Sequence, residues 1–544
     1  MCVLTCSAQP SWVKKASKSV FTLKTFDNNN QLLSSSNGFF IGSNGEAVSC
    51  FSPFRGARRA IVIDSQDHEY GVVSIIGAND TYDVVKFRVD NRKTPALTLA
   101  STTAAEGQPV WIMPYREVKN PPKATIRMAE RFDGDYAYYT VSLPLAETSV
   151  GCPLVNESGE VVGLMQPAAT VRDTLSYAVS ALFTASLKTS GLTYNDASLR
   201  STSIRKELPS ELNEATLCLY MANSTTDSAE YSRLVEDFIR QFPSVPDGFI
   251  YRAQLAVSGG NFPQADRDME QAVKIASPKD NAYYSFARLI YNKEVYQSDI
   301  SFSGWSLDKA LSLVREAIGI NSQPAYRQLE ANILFAQQQY AAAADIYQEL
   351  TQTPLRGADV FYSAAHCQEL LSDTTAMLQL ADSAVACFSK PYLNEAAPYI
   401  WARAQMRMKA RKWREAVADF NDYEEIMAAK QLTDEFYYVR YKAELEGHLY
   451  QQALNDLDRA LALKPASTLY LAEKASLQIR VGFYADAAAT ARECIAAHPS
   501  ESDGYLFLGL AQCLLGQKEE GLANLRKAKD LGDPQADGLI EKYS

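Results

Sequence analysis

Ala453-Leu454-Asn455-Asp456-Leu457-Asp458-Arg459-Ala460-Leu461-Ala462-Leu463-Lys464-Pro465 opens on a small residue, with Leu457 four positions on, Ala460 seven on and Pro465 twelve on. Positions i, i+4 and i+7 share one face of an α-helix, so the stretch reads as an amphipathic helix whose small residues admit a close neighbour. The pattern recurs on both sides. It opens at Ala265, Ala310, Ala343, Ala416, Ala453, Ala487 and Gly521, with weaker copies at Tyr231 and Met377. Steps between openers run from 33 to 45 residues and centre on 34. Twelve residues before most of them stands another small residue: Ala253, Ala331, Ala365, Ala404, Ala475 and Gly509.

Over residues 211–544 this pattern resembles the tetratricopeptide repeat, a 34-residue unit of two helices. Each such unit buries its apolar face only against a neighbour, so the resemblance implies about nine units in an all-α superhelical solenoid. The longest step contains an insertion from Lys293 to Trp305 that carries Tyr296, Phe302 and Trp305. It reads either as a partner-binding loop or as a loop packed on the array.

Residues 12–192 have a different texture. Short apolar runs (Val20 to Leu23, Gly38 to Ile41, Ala60 to Ile63, Val72 to Ile76, Val84 to Val89) are separated by turn clusters such as Asp27-Asn28-Asn29-Asn30 and Asn156-Glu157-Ser158-Gly159. Many short strands bounded by turns point to an all-β sandwich or barrels. Residues 193–210 are polar and read as a linker, and residues 1–11 as a remnant of a secretory signal or a disordered start.

Three segments of the β region resemble trypsin-like serine proteases, most closely the high-temperature-requirement type. They are Gly38 to Ile41 followed by Gly45 to Pro53; Tyr82-Asp83-Val84-Val85-Lys86-Phe87; and Thr148-Ser149-Val150-Gly151-Cys152-Pro153-Leu154-Val155-Asn156 followed by Gly159 to Gly163. The resemblance implies a double β-barrel. It places Ser52 where the family has its catalytic histidine, Asp83 where it has the orienting aspartate, and Val150 where it has the nucleophilic serine. Thr148 replaces a glycine of the oxyanion loop, with Ser149 and Gly151 around the nucleophile position. Neither serine nor valine can take a proton from a nucleophile and return it, so the expectation is a pseudoprotease with no catalytic residue. Ser149 and Cys152 are the remaining candidate nucleophiles, each lacking an identified base. Cys50 and Cys152 would be neighbours across the former cleft, either as a disulfide or as two buried thiols.

Residues 1–200 contain one histidine, His68, in a charged turn, while His366, His448 and His498 fall in the repeats. Arg55, Arg58 and Arg59 follow Ser52 closely and read as a solvated loop or as a receptor for a carboxylate. The β half holds 19 basic and 18 acidic residues, against 34 and 46 in residues 201–544, a balance that repels phosphate backbones and argues against nucleic acid. No Cys-x-x-Cys pair suggests zinc, and neither metal nor cofactor is expected. No run of about 18 apolar residues suggests a transmembrane helix. Met1 to Leu4 followed by Cys6-Ser7-Ala8 resembles the end of an export signal, which points to the periplasm or envelope.

The function expected from these features is binding of a protein or peptide by the solenoid and the inactive cleft. A divergent endopeptidase and a β domain that merely caps the array remain as alternatives. Neither the partner nor the oligomeric state follows from the chain.

Overall fold

The computed structural model describes residues 11–116, 120–144, 146–167, 175–225 and 227–544. The export-signal residues Met1 to Ala8 lie outside them. The chain divides into two compact units, one ending at Ala276 and the other beginning at Ser277.

Among the described residues the first unit contains twelve strands: β1 (Val20–Phe26), β2 (Leu32–Phe40), β3 (Glu46–Ser49), β4 (Arg59–Ile63), β5 (Glu69–Asn79), β6 (Val84–Val89), β7 (Pro109–Ile112), β8 (Lys123–Phe132), β9 (Tyr136–Val141), β10 (Pro153–Val155), β11 (Val161–Gln166) and β12 (Ser176–Ser180). They close into two antiparallel barrels, in the orders β1-β2-β3-β6-β5-β4 and β10-β11-β12-β9-β8-β7. The expected turns separate them. Between β1 and β2, the Asp27 carboxylate accepts from the Asn29 and Gln31 amides, both at 2.8 Å. This local bonding is why Asp and Asn favour turns over strands.

Each barrel closes around its inward-facing residues. In the first, Phe21, Phe40, Phe54 and Phe87 are buried, with ring centroids 4.7 Å apart for Phe21 and Phe40 and 5.3 Å for Phe54 and Phe87. Burying a phenylalanine contributes about 1.5–3 kcal/mol, so this cluster is a large part of what holds the barrel shut. In the second, Val110, Ile126, Tyr139, Leu154 and Leu164 fill the interior.

The stretch 193–210 is not a free linker. The Ile75 amide donates to the Arg205 carbonyl at 2.7 Å, and the Glu207 amide donates to the Ile75 carbonyl at 2.8 Å. Leu199 and Ile204 enter the core of the first barrel. The cause lies in β5, which is longer than its neighbour: β4 pairs only with Glu69 to Gly71, leaving the edge at Ile75 open. A buried, unpaired strand edge is costly, and this segment satisfies it.

Among the described residues nineteen α-helices follow, from Leu212–Thr225 to Ala536–Tyr543. The first four belong to the first unit, where Tyr194 packs with Ala215, Leu219, Tyr231 and Leu234. The small residues found in sequence lie at helix–helix contacts: Ala253, Ala265, Ala331, Ala343, Ala404, Ala416, Ala475 and Ala487 are all fully buried. Of the insertion residues, Trp305 is buried, edge-on to Phe286 and Phe302 at centroid distances of 6.2 and 5.6 Å, whereas Tyr296 is exposed.

Candidate functional site

β3 ends at Ser49 and the chain turns through Cys50 and Phe51 into a 3₁₀ helix, Ser52–Phe54. This turn brings Ser52 onto Asp83, just before β6. The Ser52 amide donates to Asp83 Oδ1 at 2.6 Å and its hydroxyl donates to Oδ2 at 3.0 Å. Asp83 has φ +47°, a left-handed conformation that aspartate tolerates better than most side chains. Thus Ser52 and Asp83, which the sequence resemblance expects at the histidine and aspartate positions, do meet, and both carboxylate oxygens bond to Ser52.

The third segment approaches from the second barrel. Thr148 and Ser149 lie in a 3₁₀ helix, Glu147–Ser149, whose Ser149 amide donates to the Ala146 carbonyl at 2.8 Å. Gly151 turns the chain back with φ +78°, and a Cβ there would stand 2.1 Å from the Asn37 carbonyl oxygen. Only glycine permits both the dihedral and the approach.

Asn37 is the site residue that the sequence reading missed. Its Nδ2 donates to the carbonyls of Thr148 at 2.9 Å and Val150 at 3.1 Å, fastening this loop to β2. Its own carbonyl accepts from the Ser49 hydroxyl at 2.6 Å. The available signal was an asparagine directly before the apolar run Gly38 to Ile41, inside a strand, where that residue is disfavoured.

Ser52, Cys50, Thr148 and Val150 line one cleft of about 750 Å³, together with Ser34 to Asn37 of β2 and Tyr115. Asp83 also borders a second recess of about 380 Å³ walled by Tyr82, Phe132, Tyr138 and Gln166. The Gln166 amide nitrogen is buried there without a hydrogen-bond partner among the described residues.

Cys50 and Cys152 are both buried as free thiols, so the disulfide is not formed. They are close enough to interact electrostatically, and each is directed to a carbonyl: Cys50 Sγ lies 3.8 Å from the Met165 oxygen and Cys152 Sγ 3.8 Å from the Thr148 oxygen. Burial pushes the Cys152 thiol up to about 12, and burial with the nearby Asp83 charge raises Cys50 well above its ordinary value. Neither is a thiolate at neutral pH, which is what nucleophilic attack would require.

His68 is exposed, with Nδ1 3.3 Å from the Asp64 carboxylate, and it is not among the residues lining the cleft. The arginines after Ser52 diverge. Arg55 pairs with Asp80, Arg59 donates to Asn30 at 2.7 Å over the Phe26 ring, and Arg58 faces another cavity. Among the described residues no cluster of His, Cys, Asp and Glu is arranged to hold a metal ion.

Residues 36–164 match the family described as trypsin-like peptidase domain. Among solved structures, the chain is similar to the Rv3671c protease of M. tuberculosis in its active form, at 19% identity and TM-score 0.29, covering 34% of this chain and 85% of that one. It is also similar to the serine endoprotease of Yersinia pestis, at 15% identity and TM-score 0.28, covering 32% of this chain and 62% of that one. A third is an HtrA-type protease, AlgW, with a tripeptide, at 16% identity and TM-score 0.28, covering 31% of this chain and 59% of that one. No curated protein sequence matches the chain. The two-barrel region therefore carries a trypsin-like peptidase fold, and an all-α region follows it.

Proposed function

We propose that this is a non-catalytic binding or scaffold protein of the bacterial envelope, which grips a peptide or protein partner through a tetratricopeptide solenoid over residues 211–544 and through the cleft of its trypsin-like domain. The observation that carries this reading is the pair of bonds from Ser52 to Asp83. A serine-protease triad needs an imidazole between carboxylate and nucleophile to accept a proton and hand it to the leaving amine. Here a hydroxyl and an amide take the carboxylate instead, and Val150 offers no atom that could attack. Protonated Cys50 and Cys152 do not fill that role.

Grip remains after cutting is lost, because it rests on other groups. β2 pairs with β3 only through Gly38 to Phe40, so the same edge of Ser34 to Ser36 borders the cleft with no strand beside it among the described residues. An extended segment can add to such an edge by backbone hydrogen bonds, with no triad involved. In the solenoid, the 34-residue recurrence and the buried small residues at its predicted contacts support repeat packing. The envelope placement rests on the Cys6-Ser7-Ala8 pattern, and among the described residues no helix is long and apolar enough to cross a membrane.

The test is exposure of the full chain to a fluorophosphonate probe and to unfolded casein. The chain should remain unlabelled and the casein intact. Labelling that disappears on Ser149→Ala or Ser52→Ala, together with casein cleavage, would establish the divergent endopeptidase instead.

A further inference from the structure

Away from the Ser52 cleft, the first unit has a partly open cavity of about 270 Å³ between the first barrel and the helix Ser228–Gln241. Its lining holds five cationic and three carboxylate side chains, so their charges are unequal. Two of the cations are paired: Arg205 with Asp237, and Lys206, buried in the floor, with Glu230 at 3.2 Å. Lys206 also donates to the Thr202 carbonyl at 3.3 Å.

Arg58, Arg200 and Arg233 remain, with one carboxylate, Asp227, for all three. Asp227 caps its helix, accepting from the Ala229 and Glu230 amides, both at 2.9 Å. Those amide bonds, that from Glu230 first, hold its carboxyl below the usual range, and the nearby Arg233 and Arg58 charges add to this without forming an ion pair. Arg200 has no side-chain hydrogen bond or ion pair among the described residues. The three guanidiniums come from separate elements: the lead-in to β4, the end of the short helix Ala197–Arg200, and the second long helix. All three are exposed residues lining this one cavity, and an anion that bridged them would offset their mutual repulsion.

We propose that this cavity binds a phosphate dianion, free or as the head of a small phosphomonoester. The lining carries a surplus of two positive charges, which matches the charge of about −1.5 to −2 on a phosphomonoester near neutral pH. A single carboxylate would leave one of them unmatched. Guanidinium forks bond phosphate oxygens in pairs, which suits three arginines converging from different directions. Tyr194, a phenol that burial keeps protonated, and the buried Leu234 complete the wall and suit the organic part of an ester.

The experiment is calorimetric titration of the full chain at constant ionic strength and pH 7.5 with inorganic phosphate, glycerol phosphate and acetate. Both phosphates should saturate one site per chain and acetate should not. The double variant Arg58→Ala/Arg200→Ala should bind about tenfold or more weakly, a loss of about 1.4 kcal/mol, with an unchanged melting temperature. If that variant melts early, Arg233→Ala must show the same weakening. Tighter binding of glycerol phosphate assigns the Tyr194 and Leu234 wall to an ester, and equal binding assigns the site to the free anion. Absence of saturation by either phosphate, equal binding of acetate, or unchanged affinity in folded variants overturns the proposal.

Discussion

Asn37 shows how much a single side chain can join. Its amide reaches two carbonyls of the Thr148–Gly151 loop from a strand more than 100 residues earlier. Replacing it by alanine leaves those carbonyls without this donor. Asn37→Ala should therefore cost about 1–3 kcal/mol in urea denaturation and speed hydrogen exchange at the Gly151 amide, which now bonds the Met165 carbonyl at 2.9 Å. An unchanged denaturation midpoint would show that the loop holds itself. Ser52, Asp83 and Val150 could be singled out in sequence because each sits inside a short motif whose order is visible along the chain. Asn37 was not, because its partners are distant in sequence and its role exists only once the barrels are formed.

Among the helices, geometry sets the sign of a substitution that propensity alone would misjudge. Glycine to alanine inside a helix ordinarily gains up to about 1 kcal/mol. At Gly509, however, a Cβ would lie 2.8 Å from the Gly521 oxygen and 2.8 Å from Leu525 Cγ, both on the next helix. Overpacking of that kind costs about 1–3 kcal/mol, so Gly509→Ala should lower the melting temperature. A rise would mean that the helices separate easily.

The helices also carry a recurrence that apolar periodicity did not reveal. Arg252 with Asp268, Arg403 with Asp419 and Arg440 with Asp456 are each spaced by 16 residues and joined by two parallel hydrogen bonds from one helix to the next. The third pair has a titratable neighbour. Glu444 is buried, its Oε2 has no hydrogen-bond partner among the described residues, and its Oε1 stands 3.8 Å from an Arg440 whose hydrogen bonds go to Asp456 and Glu424. Burial and the Asp456 charge push its carboxyl from the usual 4.5 up to about 8.

Between those values the folded chain keeps a proton that the unfolded chain has released. Stability should therefore fall as pH rises from about 4.5 to about 8 and level off above. Melting curves over this range should show that slope, and Glu444→Gln should reduce it. A variant with the full slope would place the titration elsewhere.

For the molecule as a whole, the segment 193–210 belongs inside the first unit rather than between two units. Polar composition suggested a linker, yet its backbone completes β5, and Leu199 and Ile204 anchor it in the barrel core. Limited tryptic digestion of the native chain should therefore spare the bonds after Arg205 and Lys206, which a free linker would expose. Early cleavage there would contradict the pairing at Ile75. The first four helices of the all-α region share this unit with the barrels, so the structural division falls at Ala276, inside the region expected from sequence to be one repeat array.

Periodicity along the chain was sufficient to determine a region of strands followed by helices and the small residues at helix contacts, and the resemblance of three segments to trypsin-like proteases implied the two barrels. Hydrophobic burial has a period, and a period can be read from one strand or helix at a time. Tertiary structure alone decided the Asn37 clamp, the thiol state of Cys50 and Cys152, the pairing of 193–210 with β5, and the convergence of Arg58, Arg200 and Arg233. These depend on hydrogen bonds and charges between segments far apart in sequence, and polar partners of that kind leave no periodic trace.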